Sequence, residues 1–170
     1  MIEKVSTLYL GLGSNLGDRA AYLLRAIIAL KNSGLQLGAI SSIYESDPVD
    51  NLDQPKFLNL VLAGQWSGND PYSVLDRCLQ IESRLGRERT ASKGARTIDI
   101  DLLLLDDLVI DGERDGIKLV LPHPKMHLRK FVLMPFAELA PQVRHPISGE
   151  TIYRLLDAVN DPSTVRIYRA

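Results

Sequence analysis

Leucine occupies every second position from Leu8 to Leu12, so residues 7–12 read as a strand with one face turned toward a core. The period then changes. After Gly13-Ser14-Asn15-Leu16-Gly17-Asp18, the residues Leu23, Leu24, Ile27, Ile28 and Lys31 repeat at helical spacing, with Asp18 suited to cap the helix and Gly34 to stop it. From Leu35 onward, Leu37, Ala39, Ser41 and Ile43 alternate with their neighbours and predict a second strand. Residues 46–56 break every period, and Pro48, Pro55 and three Asp in eleven residues predict a binding loop. Residues 57–66 predict another strand. Asn69-Asp70-Pro71 then opens a helix with Pro in its first turn and an apolar stripe of Val74, Leu75, Cys78, Leu79 and Leu85, closed by Gly86. Residues 97–105 form the next strand, followed by a hairpin around 111–118, a Pro-rich turn at 121–125 and short helices near 131–139 and 150–159.

Strand, helix, strand, strand, helix, strand is the split βαβ order. It implies an α+β, ferredoxin-like sandwich: a mainly antiparallel sheet with helices packed on one face. No linker or solenoid repeat divides the chain, so residues 1–170 are expected to form a single domain. With 170 residues, 45% of them hydrophobic, such a chain can bury a real core without disulfides or structural metals. Its 20 basic and 21 acidic residues leave a formal net charge of -1, too little to coat nucleic acid or an anionic membrane by bulk charge. Any anion site must be a local cluster. Cys78 is the only cysteine, no Cys/His group has zinc-ligand spacing, and the start lacks the apolar stretch of a secretory signal. Apolar runs fall far short of the ~20 residues of a spanning helix. The expectation is a cytoplasmic protein with no membrane or nucleic-acid partner.

Thr97-Ile98-Asp99-Ile100-Asp101-Leu102 is the segment richest in chemistry. On a strand, Asp99 and Asp101 share a face with Cα atoms about 6 to 7 Å apart, while Ile98, Ile100 and Leu102 face the core. Two like charges side by side call for a cation, and their hard oxygens suit Mg²⁺. The competing reading is a solvated polar face. Against it stands the basic stretch just upstream, where Arg87, Arg89, Lys93 and Arg96 would supply phosphate ligands beside a metal. Glu82 continues the buried stripe of its helix and needs a partner, either Arg84 or Arg87 at the rim or a bound nucleotide.

Gly11-Leu12-Gly13-Ser14-Asn15-Leu16-Gly17 fits neither glycine fingerprint: a dinucleotide loop needs Gly at position 16, and a Walker loop needs Lys after Gly17. It reads as a tight strand-to-helix turn. Phe57 and Phe131 could sandwich a flat heterocycle whose edge Asn59 would read, although a lone aromatic is more often core. His123 in Pro122-His123-Pro124, with Arg129 nearby, could complete a cationic rim.

Gly13-Ser14-Asn15-Leu16, Asp53-Gln54-Pro55 with Phe57-Leu58-Asn59, Gly94-Ala95-Arg96-Thr97-Ile98-Asp99-Ile100-Asp101 and Pro122-His123 together resemble, in order, the 6-hydroxymethyl-7,8-dihydropterin pyrophosphokinase family of folate biosynthesis. The resemblance implies transfer of the β,γ-diphosphate of ATP to the pterin hydroxymethyl oxygen, with release of AMP, by a monomer. It implies two Mg²⁺ on Asp99 and Asp101, with Arg87 and Arg96 joining them as catalytic residues. Phe57 and Phe131 would stack on the pterin, read at its edge by Asn59 and the backbone near Ser46 and Val49. ATP and the moving phosphoryl groups would meet Glu82, Arg87, Arg89, Arg96, Lys118, His123 and Arg129. Two other classes fit parts of the pattern. A metal-dependent phosphohydrolase would use the same carboxylates with water, and a ferredoxin-like RNA-binding module would need exposed aromatics where Asp99 and Asp101 stand.

Overall fold

The computed structural model describes residues 5–49, 53–68, 70–87 and 94–169. Arg89 and Lys93 of the basic stretch lie outside them. The chain runs β1 (Ser6–Ser14), α1 (Arg19–Asn32), β2 (Gln36–Ile40), β3 (Tyr44–Ser46), β4 (Phe57–Trp66), α2 (Pro71–Arg84) and β5 (Asp99–Leu105). It continues through a hairpin of β6 (Ile110–Arg114) and β7 (Ile117–Leu121), a 3-10 turn at Met126–Leu128, α3 (Lys130–Leu139), α4 (Ile152–Ala158) and β8 (Val165–Ile167).

The main sheet is ordered β5-β1-β4-β3-β8, with β2 and β3 sharing the outer edge of β4, and every pairing is antiparallel. Local chemistry fixes the helix starts. Asp18 accepts from the Ala21 amide at 3.0 Å, and Asp70 caps α2 ahead of Pro71.

Helices α1 and α2 bury Leu23, Ala26, Leu30, Val74 and Cys78 against Leu10, Leu60 and Leu62 of the sheet, as the split βαβ order predicts. The opposite face is not bare. Helices α3 and α4 cover it with Leu133, Phe136 and Ile152 packed on Val61 and Leu103, so the one-face expectation holds for the first two helices and needs this addition. The reason lies in β4 and β5, which carry apolar side chains on both faces. Among the described residues no helix is long and apolar enough to cross a membrane.

Two further departures stem from the edge of the sheet. The strand expected through Ile43 ends at Ile40, because Ser41 turns its hydroxyl onto the Val61 amide at 3.0 Å and interrupts the alternation. The chain re-enters the sheet as β3, whose last residue is Ser46. Strand β8, with only Val165 of its three residues buried, was not legible in the sequence pattern.

Candidate active site

Three strands set the floor of a cleft beside the N-terminal end of α3. Gly13 lies in register with Asn59 of β4 on one side and Asp99 of β5 on the other, and Gly11 likewise separates Val61 from Asp101. Two rows therefore cross the sheet, each with a glycine in the middle. Without side chains at those positions, β1 leaves a trough of about 760 Å³ of free space, open to solvent and walled by Phe57, Phe131, Ser46 and Val49. The segment from Gly13 to Gly17 was expected to be a strand-to-helix turn, with Gly11 in the strand before it. Only Gly17, with φ of 63°, serves that purpose; Gly11 and Gly13 belong to β1 and form the cleft floor.

At the aromatic end, Asn59 is almost fully buried and donates its side-chain amide to the Ser46 hydroxyl at 2.8 Å. Arg96 sits 5.9 Å over the ring of Phe57, and Arg129 sits 5.6 Å over that of Phe131. Each aromatic wall is thus backed by a cation. Asn15, which the sequence reading passed over, fastens this end together. Its backbone amide donates to the Arg96 carbonyl at 3.1 Å, its Oδ1 accepts from the Arg96 amide at 2.8 Å, and its Nδ2 reaches Gln54 Oε1 at 3.1 Å.

At the other end stand the two carboxylates, on one face as the strand period requires. Asp99 is held by cations: Arg87 Nη1 lies 2.5 Å from its Oδ1 and Arg96 Nη1 2.5 Å from its Oδ2. The turn after α2 places Arg87. Gly86 takes φ of 80°, its amide donates to the Ser83 carbonyl at 3.1 Å, and the Arg87 amide returns to the Glu82 carbonyl at 3.0 Å. Glu82, 2% exposed, accepts from the Ile100 amide at 2.7 Å and pairs with Arg87, which identifies its rim partner as Arg87.

Asp101 keeps 33% of its side chain open to the cleft and, among the described residues, pairs with no arginine; His123 places Nε2 3.9 Å from its Oδ1. Burial at the floor, then repulsion from Asp99 and Glu82, pushes its carboxyl up to about 7 against the pull of Arg129 and Arg87. His123 follows the cis Leu121-Pro122 bond, donates its amide to the Leu103 carbonyl at 2.9 Å and accepts the Lys125 amide on Nδ1 at 3.2 Å. Burial first, and Arg129 next, push it down to about 4, so it is neutral near pH 7. Lys118 stands apart from the cleft on β7, with 66% of its side chain exposed and Asp111 3.8 Å away.

Among the described residues no group of three or more His, Cys, Asp and Glu side chains could hold a metal. Two hard carboxylates on one strand face, Asp101 open to the cleft and Asp99 shared with Arg87 and Arg96, nevertheless fit Mg²⁺, which takes few protein ligands and completes its shell with phosphate oxygens and water. Burial is the first cause of the raised Asp101 carboxyl, and the repulsion from Asp99 and Glu82 that adds to it is the part a cation would offset.

The described fold resembles the crystal structure of Plasmodium falciparum HPPK-DHPS wild type with pterin and p-hydroxybenzoate, at a TM-score of 0.74 over 91% of this chain and 43% of that one. This chain thus spans under half the length of that protein, and 18% identity speaks to the fold alone. Sequence relatives lie nearer. The 2-amino-4-hydroxy-6-hydroxymethyldihydropteridine pyrophosphokinase of Bacillus subtilis (strain 168) is 43% identical over 145 residues, 84% of each chain. That of Methylorubrum extorquens is 42% identical over 92% of this chain and 95% of its own. A family model covers residues 9–141, a span that includes the glycine-floored cleft, both carboxylates and both aromatic walls; by that match the chain belongs to the 7,8-dihydro-6-hydroxymethylpterin-pyrophosphokinase family.

Proposed function

We propose that this pyrophosphokinase of folate biosynthesis moves the β,γ-diphosphate of ATP to the hydroxymethyl oxygen of 6-hydroxymethyl-7,8-dihydropterin, releases AMP, and does so with the residues of this one cleft. The observation that carries the reading is the row Asn59-Gly13-Asp99. Neighbouring strands lie about 4.8 Å apart, so the residue that reads the heterocycle and the first carboxylate stand about 10 Å apart across a bare glycine. A pterin lying between Phe57 and Phe131 with its edge on Asn59, Ser46 and the backbone at Val49 would direct its hydroxymethyl group toward Asp99 and Asp101.

Asp99 and Asp101 would hold two Mg²⁺, which when bound supply charge neutralisation at the phosphates. The chain's own side chains do the rest. Arg87 and Arg96 already converge on Asp99 and would turn to the phosphates as these arrive, with Arg89 joining them. Arg129 and the neutral His123 border Asp101, where an incoming phosphate would accept from both. Glu82 anchors Arg87 and is assigned to the nucleotide side. Lys118 is assigned to it as well, at the distance its place on β7 imposes. Among the described residues no side chain is assigned as a general base, and alignment plus charge neutralisation is what a diphosphoryl transfer chiefly requires. The same proposal has the enzyme work as a monomer in the cytoplasm.

The test is which phosphorus is attacked. Incubation with MgATP, with and without the dihydropterin, followed by ³¹P NMR, should give AMP in step with a pterin diphosphate and nothing without the acceptor. ADP with a pterin monophosphate would make the protein an ordinary kinase, and acceptor-independent phosphate release would make it a phosphohydrolase.

A further inference from the structure

Beyond the last matched residue, 141, the chain forms α4 and then runs back across the sheet to end in β8. In doing so it touches both walls of the cleft within a few residues. Asp161 Oδ2 accepts the backbone amide of Lys130 at 2.9 Å, the first N–H of α3. The residue at the cap position of α3, Arg129, makes no capping bond with its own side chain, so Asp161 supplies from a distance the acceptor and the negative charge that a helix start favours. Its other oxygen accepts from the Ser163 amide at 2.9 Å, and these hydrogen bonds hold the carboxyl below its ordinary range although burial opposes them. The two residues flanking the capped amide are Arg129 and Phe131.

Three residues later the same segment reaches the opposite wall. The Thr164 carbonyl accepts from the Asp47 amide at 3.2 Å, and the Thr164 amide donates to Asp47 Oδ2 at 3.3 Å. Val165 then pairs with Ser46, the residue whose hydroxyl receives Asn59. The far end of α3 is tied independently, since Glu138 accepts from the Ser42 amide at 3.0 Å, the Ser42 hydroxyl at 2.9 Å and the Tyr44 hydroxyl at 2.8 Å. At the Phe131 end, Val132 and Leu133 pack on the sheet, and Asp161 supplies the polar tie.

We propose that residues 161–165 form a strap that sets the width of the aromatic slot, with Asp161 as its positioning residue. The strap touches neither substrate. It fixes how far the wall of Phe131 stands from the wall of Ser46 and Val49, and it thereby governs pterin affinity above all; the nucleotide feels it only through Arg129, one of several cations assigned to the phosphates. This rests on the reading of the slot as the pterin site.

Calorimetry with full-length protein separates the two. Magnesium α,β-methylene-ATP is titrated alone, and 6-hydroxymethyl-7,8-dihydropterin is titrated in its presence. Asp161→Ala should weaken pterin binding about tenfold, the order expected when a stacking wall shifts by a fraction of an ångström, with nucleotide binding changed less than about twofold. The pterin KM should rise while kcat holds. Asp161→Asn keeps an oxygen acceptor for the Lys130 amide and should recover most of the loss. Two glycines inserted between Pro162 and Ser163 leave both ties available but slacken the span, so they should also weaken pterin selectively; this variant carries the test alone if the alanine protein does not fold. Pterin affinity unchanged by the insertion, or equal losses for both ligands, would overturn the strap. Phe131→Ala is the control for the slot itself: weakened pterin there with no effect of the strap variants removes the strap only, whereas unchanged pterin affinity removes the slot reading and the strap with it.

Discussion

Arg87 joins two carboxylates that serve different ends: its Nη1 pairs with buried Glu82 and lies 2.5 Å from Asp99 Oδ1. Glu82 ties Arg87 and the Ile100 amide together. Asp99 is paired directly with two arginines, whereas Asp101, two residues on, feels Arg129 and Arg87 only at longer range among the described residues. The two aspartates that look equivalent along the sequence are therefore electrostatically opposite in the folded protein.

This asymmetry separates two outcomes. Asp99→Ala and Asp101→Ala should each nearly abolish Mg²⁺-dependent turnover, because each removes a proposed metal ligand. Their stabilities should diverge. Asp99→Ala strips Arg96 and one side of Arg87 of a partner and should cost about 1 to 2 kcal/mol, the scale of a charge-assisted hydrogen bond. Asp101→Ala relieves repulsion and should melt at or above the wild-type temperature. Thermal midpoints measured beside turnover check both; wild-type turnover in either variant removes that residue from the metal site.

The dependence of stability on pH follows from Asp101 and His123 pulling in opposite directions. Asp101 ionises at about 7 when folded against an ordinary 3.8, so between these values the folded state holds the extra proton and stability falls as pH rises. His123 protonates at about 4 when folded against an ordinary 6.5, so the unfolded state holds the extra proton and stability rises with pH across nearly the same window. In the metal-free protein the two contributions oppose each other between pH 4 and 6.5. Relative to wild type, the melting temperature of Asp101→Asn should climb across that window, and that of His123→Gln should decline. Parallel profiles for all three proteins would refute the assignment.

What could be read in advance was local. β4 and α2 appear at the expected residues because a long apolar run and an Asp70-Pro71 cap carry their own signals. The shared face of Asp99 and Asp101 follows from the period of a strand. What resisted reading depends on register between distant segments. Glycine carries no polarity signal, so Gly11 and Gly13 became a cleft floor only once their partners Val61 and Asn59 were known. Glu82 could have met Arg84 or Arg87 until the left-handed Gly86 turned the chain back. The contact between Asp161 and Lys130 spans 31 residues and has no signature in either segment.

The aromatic walls should act on one ligand only. Phe57→Ala and Phe131→Ala are each expected to weaken dihydropterin binding by ~1 to 3 kcal/mol, the range for stacking on a flat base, with little change for the magnesium nucleotide. Calorimetry with each ligand decides the matter. Equal losses for both would make these side chains supports of the sheet instead of walls of the slot.

The glycine floor gives the sharpest contrast, because two residues of one strand face the same cleft with different clearance. A Cβ on Gly13 would lie 3.1 Å from Asn59 Oδ1, tighter than ordinary contact, and 3.8 Å from Phe57 Cδ1. A Cβ on Gly11 would meet Leu103 at 3.4 to 3.6 Å, ordinary packing distance against a flexible side chain. Both glycines lie in an extended strand, where alanine is conformationally acceptable and lowers the entropy of the unfolded chain. Gly13→Ala should therefore fold, displace the Asn59 amide from Ser46 and weaken pterin binding about tenfold, on the scale of a lost buried hydrogen bond. Gly11→Ala should bind pterin nearly as wild type does. Pterin titrations of the two variants, each with its melting curve, check the pair: equal pterin affinity in both would mean that the row from Asn59 through Gly13 to Asp99 does not shape the pterin end of the cleft.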